Sequence, residues 1–193
     1  MGEAAPQLHP LLRSRWSPRT WDTAHEVTPA EVESLLEAAR WAPSAGNSQP
    51  WAFIVGRRGD DVHARLVRHL ARSSAAWAPG ASLLVANVCH RHVAGTDWEY
   101  SEFAAYDLGQ AVAHLTFQAA ALGLAVRQFA AFDREGVTRE FEVAEHWYVT
   151  TMSAIGRVPA AVEPHALTRP DGSRLPRDRR PVADLHWDAE SAP

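Results

Sequence analysis

The chain has 193 residues, of which 46% are hydrophobic and 22% charged, and these values are typical of one globular domain with a sizeable core. Its formal net charge of −4 offers no basic surface for nucleic acid, and no apolar run approaches the roughly 20 residues that a membrane span needs. The first ten residues lack the apolar centre of a secretory signal, and a single cysteine excludes an internal disulfide, so we expect a cytoplasmic protein.

The basic residues of the chain are all of one kind. All 19 are arginines, so the chain has no lysine. Schiff-base catalysis by a lysine amine is therefore excluded, and an anionic group must be held by guanidinium forks or by backbone N–H groups.

The first predicted helix begins after Thr28, which stands as N-cap before Pro29, and Glu31 completes a capping box. This helix ends before Pro43, and residues 51–55 form an apolar run of strand length. The later predicted elements are a helix over residues 62–70, a strand buried on both faces over 82–88, a central helix over 102–122 with Gly123 at C′, an extended segment over 124–129, a helix over 134–141 and a strand over 147–155.

The last part of the chain differs in composition. Residues 157–180 are rich in proline and arginine, and residues 182–187 follow as a candidate final strand. A long irregular arm that ends in a strand indicates docking at a distance, for example on a partner subunit.

A polar loop, residues 42–51, connects the first predicted helix to the first strand and is called the signature loop below. Pro43 and Pro50 restrict the backbone near its two ends, and we expect the N–H groups between them to be free. Ser44, Asn47 and Gln49 offer uncharged donors and acceptors that suit the edge of a heterocycle or a polyol. The alternative is an ordinary helix-to-strand turn.

Two arginine clusters are candidate phosphate sites. Arg15 and Arg19 flank Ser17 across a proline-stiffened turn, and guanidinium forks with a hydroxyl suit a terminal phosphate. A solvated basic surface is the alternative for this cluster. The second cluster, residues 177–180, would otherwise be a solvated tail.

A further candidate lies where a predicted strand turns into a helix, over residues 127–133. The small side chains of Ala130 and Ala131 let backbone N–H groups approach a planar ring closely. A plain strand-to-helix connection explains the same residues equally well.

Other chemistries lack their motifs in this sequence. It has no glycine-rich dinucleotide fingerprint, no phosphate-binding P-loop and no nucleophile elbow. His90 and His92 have strand-like spacing without further ligands, which is more typical of surface residues than of a metal site. Cys89 lies in an apolar strand, where a buried, inert thiol is expected. We therefore assign no metal ligand and no catalytic side chain.

Taken in order, these segments resemble the FMN-dependent nitroreductase family. The resemblance extends from Leu12 to Trp187, and its motifs are residues 15–21 (RWSPRTW), 36–44 (LEAARWAPS), 47–51 (NSQPW), 106–111 (YDLGQA), 121–124 (ALGL), 128–133 (QFAAFD) and 179–182 (RRPV). The motif in the signature loop is the most specific, and the others gain weight from their order.

The resemblance implies an α+β fold, an α-β-α sandwich with a central, mostly antiparallel mixed sheet, in a homodimer whose C-terminal arm is exchanged between subunits. It implies FMN at the dimer interface and NAD(P)H as electron donor, with the signature loop serving the opposite subunit. The implied cofactor-binding residues are Arg15, Trp16, Ser17, Arg19, Pro43, Ser44, Ala45, Asn47, Gln128, Ala130, Ala131, Arg177 and Arg179.

The implied activity is that of an NAD(P)H-dependent flavin oxidoreductase of the nitroreductase type. Such an enzyme reduces electron-poor acceptors, for example nitroaromatics and quinones, by ping-pong hydride transfer through flavin N5. The alternatives are a non-catalytic flavin-binding or sensing protein of the same fold and a flavin enzyme that cleaves flavin or removes halogen. Ala131 stands where glycine is common, and the charge of Arg127 would favour anionic acceptors.

The same reading predicts one nitroreductase-like domain over residues 12–187, which includes an extended C-terminal arm over about 157–187. A flexible N-terminus over residues 1–11 and a tail over 188–193 flank this domain.

Overall fold

The computed structural model describes residues 7–162 and 178–187. The chain forms two compact units, Met1–Val162 and Glu163–Pro193. The described part of the first unit contains α1 (Pro10–Ser14), α2 (Pro29–Arg40), β1 (Trp51–Arg57), α3 (Asp61–Arg68), α4 (Arg72–Ala75), β2 (Leu83–His90), α5 (Ala104–Ala121), β3 (Ala125–Phe129), α6 (Arg134–Glu140) and β4 (Trp147–Gly156), with 3₁₀ turns at Ala45–Asn47 and Ala78–Gly80.

The strands of the first unit form a single sheet in the order β1–β2–β4–β3. Every pairing among them is antiparallel, so the part of the chain that the structure describes contains no parallel pair. Helices α2 and α5 pack on one face of the sheet, and α3 and α6 pack on the other. The predicted α+β sandwich is confirmed.

Strand β2 is buried on both faces, as its nearly continuous apolar sequence predicts. Successive side chains point to opposite faces of a sheet, so Leu83 and Val85 enter the core under α2 and α5. Leu84 and Ala86 enter the core on the side of α3 and α6. The sheet therefore has hydrophobic packing on both of its faces, and β2 contributes to each.

The ends of the principal helices follow their sequence signals. The Thr28 hydroxyl accepts from the Glu31 backbone N–H at 3.2 Å, and the Glu31 carboxylate accepts from the Thr28 backbone N–H at 2.8 Å, which confirms the capping box. After α5, Gly123 adopts a φ of +73° in the left-handed region, as a C′ glycine does.

The second unit differs from its prediction. Residues 182–187 were expected to form a strand, but Val182–Leu185 form a 3₁₀ turn. Val182 and Leu185 are 61% and 63% exposed, and a strand is stable only where neighbouring strands pair with it and one of its faces is buried. The strand prediction was therefore wrong for the described residues 178–187.

Candidate functional site

The first arginine cluster lies at the rim of a cavity on the α5 side of the sheet. Arg15 Nη1 lies 3.3 Å from the Ser17 hydroxyl oxygen, so the two side chains present their polar atoms together. The cavity has a volume of about 270 Å³, and it is lined by Arg15, Ser17, Ala113, Thr116, Phe117, Val126 and Gln128. The structure thus brings together Arg15, Ser17 and Gln128, which come from distant parts of the sequence.

Arg127 supports this cluster from the opposite side of β3. Its Nη1 donates to the Ser17 carbonyl oxygen at 2.7 Å, and its guanidinium carbon lies 5.0 Å from the centre of the Trp77 ring. Burial lowers the pKa of Arg127, and the charge of Arg19 lowers it further. The guanidinium thus contacts Ser17 and Trp77, and the preference for anionic acceptors that the sequence suggested stays a prediction.

The signature loop has an internal hydrogen-bond pattern that its sequence did not reveal. The backbone N–H groups of Asn47 and Ser48 donate to the carbonyl oxygens of Ser44 and Ala45, both at 3.0 Å. The Gln49 N–H donates to the Ser44 hydroxyl at 3.0 Å. The expectation that these N–H groups are free was therefore wrong, because the loop folds back on itself in tight turns.

The same loop contains unusual backbone angles. Gly46, Asn47 and Gln49 have φ values of +58°, +55° and +47°, and the last two are side-chain-bearing residues in the left-handed region. Pro43 and Asn47 are exposed, whereas Ser44 and Ala45 are half-buried. The loop therefore presents Pro43 and the Asn47 amide outward from a strained but hydrogen-bonded backbone.

Two side chains from outside the signature loop form hydrogen bonds with its backbone. Asp107, in the first turn of α5, accepts from the Ala45 backbone N–H at 3.0 Å through its Oδ2. The Tyr100 hydroxyl donates to the Ser48 carbonyl oxygen at 3.0 Å. The sequence does not predict these contacts, although Asp107 is the charged residue on a mostly apolar buried stripe of α5, which is a usable signal.

The bend after β3 lies against the start of α4. The Ala131 carbonyl oxygen accepts from the Ala71 backbone N–H at 3.1 Å. Within residues 7–162 and 178–187, the backbone N–H groups of Ala130 and Ala131 donate to no acceptor. Arg72 follows Ala71 and is exposed, so it places a positive charge near this bend. No local pattern predicts that Arg72 lies near the bend, because this proximity depends on the contact between Ala71 and Ala131.

The remaining predicted site residues lie at different places in the chain. Trp16 is half-buried and Arg19 is exposed, on either side of Ser17. In the second unit, Arg179 is exposed and its Nη1 donates to the Asp178 carbonyl oxygen at 2.8 Å. Arg177 lies outside the described residues.

His90 and Cys89 both pack among other side chains of the fold. His90 stacks between Tyr100 and Trp147, with ring centres 3.8 Å and 4.5 Å away. Cys89 is buried, and burial raises the pKa of its thiol. In the part of the chain that the structure describes, no three His, Cys, Asp or Glu side chains are grouped to hold a metal ion.

None of the described helices is both long enough and apolar enough to cross a membrane. The cytoplasmic location stays a prediction.

Comparison with known proteins gives this arrangement a family. The sequence profile of the Nitroreductase family matches residues 12–87. A Streptomyces coelicolor protein with the name "Putative NADH dehydrogenase/NAD(P)H nitroreductase" is 30% identical over 170 residues, and the match covers 73% of this chain and 83% of that protein. The chain belongs to the nitroreductase family. A Helicobacter pylori oxygen-insensitive NADPH nitroreductase shares 40% identity with this family member over 45 residues, covering 23% of this chain and 21% of that protein.

Solved structures place this nitroreductase family member among flavin-containing relatives. The crystal structure of an oxidoreductase containing FMN superposes with a TM-score of 0.83 at 25% identity, covering 98% of this chain and 96% of the other. A Desulfovibrio desulfuricans nitroreductase in complex with FMN superposes with a TM-score of 0.72 at 24% identity, covering 94% and 98% of the two chains. At 24% identity, the likeness to the Desulfovibrio desulfuricans protein shows a shared fold alone.

Proposed function

We propose that this flavin oxidoreductase of the nitroreductase family binds FMN and uses NAD(P)H to reduce electron-poor small molecules such as nitroaromatics and quinones. The observation that carries the proposal is the convergence of Arg15, Ser17 and Gln128 on one cavity. FMN-containing and NAD(P)H-dependent relatives support the cofactor and the electron donor.

The charge at the cavity rim fits a phosphate. Among the described residues that line it, Arg15 is charged and no carboxylate is present. The charges of Arg19 and Arg127 interact, and that interaction contributes to the lowered pKa of Arg127. A terminal phosphate would offset this repulsion by accepting charge-assisted hydrogen bonds from guanidinium groups and from the Ser17 hydroxyl.

The bend after β3 fits a planar, polar ring. The backbone N–H groups of Ala130 and Ala131 are available as donors, and alanine side chains leave space for close approach. Gln128 lines the cavity beside them, and Arg72 adds a positive charge near the same bend. These groups would bind the flavin ring through its polar edge and would favour negative charge on it.

The exposed part of the signature loop supports a homodimer with shared sites. Pro43 and Asn47 face outward, where a second subunit could reach them. Asp107 and Tyr100 hold the backbone of the loop to its own chain by one hydrogen bond each. We assign Pro43, Ser44, Ala45 and Asn47 to the cofactor of the opposite subunit, and the C-terminal arm, with Arg177 and Arg179, to the same exchanged interface.

When bound, FMN would supply the redox chemistry by accepting a hydride from NAD(P)H and passing electrons to the acceptor in a ping-pong cycle. The protein would hold the phosphate through its arginines and orient the ring through backbone N–H groups. No side chain of this site needs to act as nucleophile or as general acid, which agrees with the absence of a predicted catalytic residue.

Substitution of the arginines tests the phosphate assignment. We expect Arg15→Ala and Arg19→Ala each to weaken FMN binding by about 1.5–3 kcal/mol, the range for hydrogen bonds to charged groups, measured by titration of the apoprotein. Arg139→Ala is the matched control, because Arg139 forms an exposed pair with Glu135 at 3.7 Å on α6. Unchanged FMN affinity in both site variants would contradict the assignment.

Steady-state turnover tests the reaction. NADH and NADPH are each assayed against a nitroaromatic, a quinone and oxygen. Parallel double-reciprocal lines are expected, because one site would serve donor and acceptor in turn. Intersecting lines would contradict the ping-pong cycle, and FMN binding without any acceptor-dependent NAD(P)H oxidation would favour a flavin-binding protein.

A further inference from the structure

Asp107 is a buried carboxylate with an unusual set of partners. It is 2% exposed, and its Oδ2 accepts from the Ala45 backbone N–H at 3.0 Å. Its Oδ1 lies 3.5 Å from Gln110 Nε2. Within residues 7–162 and 178–187, no arginine or histidine forms an ion pair with it.

Burial of a carboxylate without a cation is unfavourable, so this residue needs a compensating interaction. Two are present in the structure. The position of Asp107 in the first turn of α5 places it where the partial positive charge of the helix N-terminus stabilises an anion. The Ala45 N–H adds a charge-assisted hydrogen bond. A leucine or alanine would serve the core alone, so the contact with Ala45 is the property specific to Asp107.

The backbone that follows Ala45 is the strained part of the signature loop. Asn47 and Gln49 are held in the left-handed region at φ values of +55° and +47°. Strained residues of this kind persist when the surrounding structure fixes them from several sides. Asp107 fixes the loop just before the strained residues, and the Tyr100 hydroxyl fixes it between them at Ser48.

We infer that Asp107 is a positioning residue that acts across the dimer: by fixing the signature loop of its own chain, it completes the cofactor site of the partner chain. This inference rests on the proposed function, in which the loop serves the opposite subunit. Asp107 itself would touch no cofactor atom, and its effect would pass through Ala45 to the outward-facing Asn47.

Variants of the homodimer give the first part of the test. Asp107→Ala removes the acceptor, and we expect about tenfold weaker FMN binding. Asp107→Asn keeps the size and one acceptor oxygen, so its FMN affinity is expected to lie between those of Asp107→Ala and the original protein. Asp60→Ala is the matched control, because Asp60 also accepts a backbone N–H, that of His63 at 2.7 Å, at the start of another helix. It is expected to lower the melting temperature without changing FMN affinity.

A mixed dimer gives the second part of the test. Its count of intact sites distinguishes an action across the dimer from a purely structural role of Asp107. One chain carries Asp107→Ala and the other Arg15→Ala, with different affinity tags for sequential purification. If Asp107 acts across the dimer, one site combines an intact Arg15 with an intact signature loop, and the other site carries both defects. FMN titration should then show one site of original affinity per dimer. If Asp107 acts within its own chain, both sites carry one defect each.

The outcomes separate the inference from the function on which it rests. Two equally weakened sites in the mixed dimer, or unchanged affinity in the Asp107→Ala homodimer, would overturn the inference while the FMN function stands. An original protein that binds no FMN would overturn the proposed function itself. If Asp107→Ala does not fold, the mixed dimer is made with Asp107→Asn, and the same count of intact sites decides.

Discussion

At the scale of single residues, burial decides which polar groups can react. Cys89 lines a cavity of about 330 Å³, yet only 4% of the residue is accessible. Burial raises the pKa of its thiol, and the charge of Asp107 raises it further, although Arg91 opposes this. The thiolate, which is the reactive form, is therefore scarce at neutral pH.

Because Cys89 is the single cysteine of the chain, its reactivity can be measured without interference. We expect slow reaction of the native protein with a disulfide reagent such as DTNB at pH 8, and rapid reaction of one thiol after denaturation. Rapid and complete labelling of the native protein would show that the thiol is accessible and ionised.

At the scale of elements, the capping box of α2 makes a definite contribution to stability. Thr28→Ala removes the hydroxyl that accepts the Glu31 N–H, and we expect the free energy of unfolding to fall by about 0.5–2 kcal/mol. Chemical denaturation measures this change, with Thr20→Ala as an exposed control expected to stay within about 0.5 kcal/mol. Equal effects of both substitutions would rule out a contribution from the cap.

The capping box of α2 also makes the free energy of unfolding depend on pH. The backbone N–H of Thr28, and then its hydroxyl, hold the pKa of Glu31 below its usual value of 4.5. The folded-state pKa is thus the lower one, so the stabilisation is present above pH 4.5 and is lost as the pH falls through the folded-state pKa. The difference between the original protein and Thr28→Ala should therefore shrink in acid, and a constant difference would contradict this.

Elements set by local signals were predictable, and elements set by their surroundings were not. Helix α2 has its cap, its proline and its apolar face within one stretch of sequence, and β2 is apolar except at Asn87 and His90. By contrast, residues 182–187 contain β-forming side chains, but Val182–Leu185 form a 3₁₀ turn, because a strand needs a pairing partner that a local pattern does not specify. The four-residue helix α4 begins next to Ala71, whose N–H donates to Ala131, sixty residues further along the chain. No local pattern predicts this helix.

The candidate site likewise has residues that motifs predict and supporting contacts that only the fold shows. Arg15, Ser17 and Gln128 could be named from motifs, and the structure brings them together. The contacts that hold the site join distant residues, such as Arg127 to Ser17 and Asp107 to Ala45. A motif identifies residue types but not their partners, so the supporting roles of Arg127 and Asp107 required the fold.

At the scale of the whole molecule, the proposed sharing of sites between subunits would make cofactor binding depend on assembly. If each site needs the signature loop of a second copy, dilution below the dimer dissociation constant should release FMN. Sedimentation velocity and FMN content are measured on the same dilution series, and both should change over one concentration range. Constant FMN content in a fully monomeric sample would contradict a shared site.

The central position of β2 also has a consequence for synthesis on the ribosome. Its outer neighbour β1 comes earlier in the chain, but Ser153 of β4, which pairs with Val85, comes 68 residues later. Until β4 and α5 have been made, one edge of β2 and much of its apolar surface have no cover. Pairing between such distant segments forms slowly and leaves hydrophobic surface open to aggregation in the interval. Nascent chains that end before β4 should therefore need chaperones far more than the finished protein does.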